Sequence, residues 1–112
     1  MPQIKLLTIQ CTTPDEIDKD ETYLKFKGEK IWPEESRYHQ LDTGEKVDVN
    51  LILEAAEGWN TIELWDFDYM SLNDHLGDFK FKVDNQHGRY STSMQLFEKD
   101  STASYIMLWE IL

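Results

Sequence analysis

The stretch LWDFDYMSLNDHLGDF, residues 64–79, sets Asp66 and Asp68 between aromatic residues directly after an apolar run, and Asp74 follows six residues after Asp68. A second stretch, residues 15–21, holds Asp15, Glu16, Asp18, Asp20 and Glu21. Carboxylates so crowded can share a proton as an acid and base pair, or supply hard oxygen ligands to a cation. The chain already carries 22 acidic against 11 basic residues, a net charge of −11. Like charges a few ångströms apart repel and raise one another's pKa. A divalent cation among them reverses that cost, and Ca²⁺ takes about six to eight oxygen ligands in the flexible geometry that loops provide. The plain alternative for residues 15–21 is a solvated acidic face that aids solubility. An EF-hand is excluded, because its loop needs Gly at the sixth position and an acid at the twelfth. Counted from Asp66, those positions are Ser71 and Gly77.

The elements that must position these acids are short strands. Alternation is clear where Phe79, Phe81 and Val83 interleave with Lys80 and Lys82, and where Leu24 and Phe26 interleave with Lys25 and Lys27. The runs 4–11, 22–28, 29–32, 46–55, 60–67, 77–84, 89–97 and 104–112 all suit strands, separated by Pro, Gly, Asp, Asn and Ser. No window shows a helical period. The 112 residues are read as one domain, 1–112, forming an all-β, eight-stranded antiparallel sandwich. In such a sandwich, loops at one end converge, so residues 15–21 and 66–74 can meet although distant in sequence.

Other classes are excluded or disfavoured. The acidic balance argues against nucleic acid, which needs clustered Lys and Arg. The single cysteine, Cys11, rules out an internal disulfide and reads as a buried thiol. The start MPQIKLLTIQC has neither a basic region nor a long apolar core, so no signal peptide is expected, and no apolar run is long enough to span a membrane. A cytoplasmic or membrane-peripheral location is the default. His39, His75 and His87 lack the paired spacing of zinc sites and are expected on the surface or in loops. Without a phosphate-binding glycine loop or a nucleophile elbow, no enzymatic activity is expected.

The acidic loop resembles the calcium-binding segment of C2 domains, in which a strand ends in Asp-x-Asp and a third Asp follows six residues later. A hydrophobic residue and Gly then lead into the next strand. Asp66, Asp68, Asp74, Leu76 and Gly77 match that pattern. DEIDKDETYLKF, residues 15–26, resembles the family's first calcium segment, with Asp15 and Glu21 at the expected spacing and Tyr23, Leu24 and Phe26 in the strand. It has DET where the family has Asp-Pro, so either Asp20 or Glu21 can take the second ligand role. The family's Asn-Pro-x-Trp-Asn-Glu segment is missing between Ile31 and Val47, and GEKIWP, residues 28–33, instead resembles a variant of bacterial C2-like domains. The order of elements resembles the type II topology.

The resemblance implies a ligand set of Asp15, Asp20 or Glu21, Asp66, Asp68 and Asp74, with the Phe67 carbonyl as a further oxygen donor. With so many carboxylates, two Ca²⁺ ions sharing oxygens are expected. In the family, bound ions leave coordination sites that phospholipid headgroups fill, so the implied partner is an anionic phospholipid surface. Tyr69, Met70 and Leu72, with Ile17 from the first loop, are the expected membrane contacts. The alternative for the apolar trio is that it folds back onto the core. Lys25, Lys27, Lys80 and Lys82 form a candidate basic face, although such lysines commonly just keep a sheet soluble. The alternative function is a calcium-stabilised sandwich that binds a protein partner without lipid.

Overall fold

The computed structural model describes residues 2–15 and 19–112. Its strands are β1 (Gln3–Thr13), β2 (Asp20–Phe26), β3 (Glu29–Trp32), β4 (His39–Leu41), β5 (Lys46–Glu54), β6 (Gly58–Asp66), β7 (Asp74–Val83), β8 (Gly88–Ser93), β9 (Gln95–Leu96) and β10 (Ser104–Ile111). They form two antiparallel sheets. One has the order β5-β1-β10-β8; the other runs β3-β2-β6-β7-β9, with β4 also pairing β2.

Period-two alternation decides which side chains meet between the sheets. Ile4, Leu6, Ile9 and Cys11 of β1 and Tyr105, Met107, Trp109 and Ile111 of β10 are buried against Leu24, Phe26, Ile62, Leu64, Phe79, Phe81 and Val83 of the larger sheet. Trp109 spans the gap, its ring centroid 4.7 Å from Phe81 and 4.9 Å from Tyr90, while its Nε1 donates to Thr92 Oγ1. The odd-numbered residues of β2 face outward, as do Glu63 and Trp65 of β6, so the larger sheet also has a chemically distinct outer face.

The sandwich is as expected, and its ten strands among the described residues include short ones beyond the eight read from the sequence. The expected strand 22–28 stops at Phe26 because Lys27 and Gly28 both adopt positive φ, 54° and 81°, which makes a two-residue hairpin turn into β3. Residues 89–97 divide at Met94, where the chain leaves the smaller sheet and β9 pairs with Gly77 and Asp78 of β7. A side chain at position 77 would collide with that crossing, since a Cβ there would meet Gln95 O and lie 2.6 Å from Met94 Cγ. β4 gave no periodic signal because it is only three residues long and pairs only the first turn of β2, at Asp20–Thr22.

Candidate metal centre at the sandwich tip

The inward rows of β2 and β6 each end in a carboxylate at the tip. On β2 the row runs Phe26, Leu24, Thr22, Asp20; on β6 it runs Asn60, Ile62, Leu64, Asp66. Alternation therefore carries two carboxylates into the mouth of the sandwich, and both are buried, at 0% and 3% exposure. Buried charges persist only when hydrogen-bonded, paired or bound to a metal. Asp74 opens β7 directly opposite Asp66, and Asp15 arrives from the connection between β1 and β2. One carboxylate oxygen from each of Asp15, Asp66 and Asp74 lies within 4.8 Å of the other two. The two acidic segments do converge.

Backbone and side-chain donors fix this arrangement. Asp66 Oδ1 accepts from Glu21 N–H at 2.8 Å, and Phe67 N–H donates to Glu21 O at 2.8 Å, which locks the ends of β2 and β6 together. Asp15 N–H donates to Asp20 Oδ2 at 2.8 Å. Ser101 Oγ donates to Asp15 Oδ1 at 2.7 Å, so the connection between β9 and β10 also reaches the tip. Glu98 and Ser101 line a cleft there with Asp15, Asp74, His75 and Leu76. Sequence reasoning missed this third segment. Its signal was present in the polar run EKDST, residues 98–102, at a turn on the same end.

The remaining expected ligands sit elsewhere. Asp20 lies deeper, where Oδ2 also accepts the Tyr105 hydroxyl from the opposite sheet. Burial, and then that contact with Asp20, push the Tyr105 phenol well above its ordinary value. Burial likewise pushes the Cys11 thiol up, in keeping with the expected buried cysteine. Glu21 alternates to the other side of β2, and its Oε2 is buried with no hydrogen-bond partner among the described residues. Asp68 is exposed and shapes its own loop: Oδ1 accepts from Met70 N–H and Oδ2 from Ser71 Oγ, each at 2.8 Å. Those two contacts, Met70 first, hold its carboxyl below the usual range. Asp20, Glu21 and Asp68 are thus not part of the close carboxylate group.

The loop between β6 and β7 presents apolar side chains to solvent. Tyr69, Met70 and Leu72 are 66%, 93% and 91% exposed, so the trio does not fold back onto the core. Tyr69 rests edge-on against Phe67, which stacks on Tyr38 at 5.4 Å. Beside them is a groove of about 200 Å³ lined by Tyr23, Lys30, Arg37, Phe67 and Asn73. Ile17 lies outside the described residues. Of the lysines, Lys80 and Lys82 are exposed on β7, whereas Lys25 sits 4.7 Å over the Trp65 ring and Lys27 lies 5.1 Å over Phe26.

Compared with family models and with curated proteins, the chain matches none. The functional reading therefore rests on the residues and their geometry. The donor set at the tip consists of hard oxygens from three separate segments, which suits Ca²⁺ better than softer metals.

Proposed function

We propose that this domain is a C2-like, calcium-dependent module that docks on anionic phospholipid surfaces. The observation that carries the reading is the juxtaposition of two features: the Asp15, Asp66 and Asp74 carboxylates within 4.8 Å, and the neighbouring loop that exposes Tyr69, Met70 and Leu72. Asp15, Asp66 and Asp74 would hold the ion. Calcium there would turn a repulsive acidic mouth into one that attracts anions. The apolar trio would add burial at the bilayer interface that salt does not screen. Lys30 and Arg37 in the adjoining groove supply positive charge on the same side of the loop.

Cosedimentation with phosphatidylserine-containing vesicles, with Ca²⁺ and with a chelator, tests this directly. Binding should need Ca²⁺ and weaken as ionic strength rises, through screening. Loss of vesicle binding in Asp66→Asn, with retained folding, supports the reading. Calcium binding with no vesicle association at any salt concentration overturns the membrane role and favours a protein partner.

A further inference from the structure

The outer face of the larger sheet carries a second group of ligand atoms, distinct from the Asp15, Asp66 and Asp74 carboxylates, although His75 also lines the tip cleft. Glu63 on β6 and Asp78 on β7 are directly paired cross-strand neighbours. His75, at the start of β7, brings Nε2 to 2.7 Å from Asp78 Oδ1. One ligand atom each from Glu63, His75 and Asp78 lies within 4.8 Å of the others.

Carboxylates opposed across a strand pair destabilise each other, and all three residues of the group are partly buried, the side chains of His75 and Asp78 being 13% and 21% exposed. Among the described residues, neither acid has an ion pair with Lys or Arg. Lys25 stands beside Glu63 in register, yet its ammonium lies over the Trp65 ring.

The surrounding rings hold the group in place. His75 stacks on Trp65 at 4.7 Å with 5° between planes, and on Phe97 at 4.2 Å. Trp65 Nε1 donates to Glu63 Oε1 at 2.9 Å. One tryptophan thereby orients both the imidazole and a carboxylate. Outer contacts of this kind are what orient the ligands of a metal site.

We propose that Glu63, His75 and Asp78 form a binding site for Zn²⁺ or a related divalent transition ion. One imidazole nitrogen with two carboxylates is a mixed N/O set that zinc accepts, with solvent completing the coordination. The ion would neutralise the opposed acids and brace β6 against β7 at the root of the 67–73 loop. His75 directly follows Asp74, so a single strand end would serve two chemically different ions.

The test is calorimetric titration of the chelator-stripped domain with Zn²⁺ under saturating Ca²⁺, with Co²⁺ as a visible-absorbing substitute. Single-equivalent Zn²⁺ binding is expected, weakened at least about tenfold in both His75→Gln and Asp78→Asn. The Co²⁺ bands should vanish in both variants and persist in Asp66→Asn and His39→Gln. Glu63→Gln keeps an acceptor for Trp65 Nε1 and gives a third reading should either variant fail to melt cooperatively. No zinc uptake by the wild type overturns the site, as does equal affinity in the folded variants. Zinc binding lost in Asp66→Asn also overturns it, and assigns the ion to the tip. Because Ca²⁺ and vesicle binding are read separately, failure here leaves the membrane reading standing, and the reverse also holds.

Discussion

Asp66 is the residue on which the tip depends. It is almost fully buried, faces Asp74 across a strand pair and receives Glu21 N–H. Asparagine keeps the size and the accepting oxygen but removes the charge. Asp66→Asn should therefore abolish the rise in melting temperature caused by Ca²⁺ while leaving the ion-free domain as stable as the wild type or more so. Scanning calorimetry with and without Ca²⁺ reads both. Tyr105 gives a different kind of test. Its phenol is buried and donates to Asp20, so its folded pKa lies above the unfolded value. Below about pH 10 both states keep the proton and the contribution is fully present. As pH rises further, the unfolded chain releases the proton and the folded one does not, so stability falls by about 1.4 kcal/mol per pH unit for this group. Tyr105→Phe should lose about 1–3 kcal/mol at neutral pH, by removing a buried donor from Asp20. It should also show a shallower alkaline decline in denaturant titrations.

The connection between β6 and β7 and the crossing at β9 make predictions about whole segments. Tyr69, Met70 and Leu72 are solvent-facing, so replacing all three with Ser should leave the melting temperature and its calcium response nearly unchanged while reducing vesicle binding strongly. A large fall in stability would instead show that the loop packs on the fold in solution. Gly77→Ala should act the other way. Its Cβ meets the backbone of β9 and Met94, which must shift, at a cost of about 1–3 kcal/mol by urea unfolding, without a direct effect on the carboxylates. Most strands were legible in the sequence because their alternation was strong, as in Phe79, Phe81 and Val83. The convergence of Asp15 with Asp66 and Asp74 was also legible once a sandwich was assumed. What escaped is physically instructive. β4 and β9 are three and two residues long, too short to show a period. Asp20 and Asp68 read as equivalent acids, yet alternation buries the first under Tyr105, and local donors turn the second into a loop brace. His75 was expected as a surface or loop histidine, but it stands in β7 against two aromatic rings. Its partner Glu63 lies on another strand, where spacing along one chain carries no information.

For the domain as a unit, the net charge of −11 sets the response to ions. Any cation screens it, but only a specific site adds binding linkage. At a hundredfold excess over its dissociation constant, a ligand that binds the folded form alone contributes about 2.7 kcal/mol. Ca²⁺ should therefore raise the melting temperature well beyond the effect of Mg²⁺ at equal ionic strength, because Mg²⁺ sheds its water reluctantly. Equal shifts for the two ions in thermal melts would reduce the tip to general screening.

The placement of β1 beside β10 has a consequence for how the chain becomes a protein. Ile4 is paired with Ile111 and Cys11 with Tyr105, so the centre of the smaller sheet closes between segments about a hundred residues apart. During synthesis, Ile4, Leu6 and Ile9 emerge early and wait for Met107, Trp109 and Ile111, whose burial they share. The core cannot close until Ser104–Ile111 has left the ribosome. Until then an apolar strand lies open to other chains, an exposure that favours aggregation of the nascent domain.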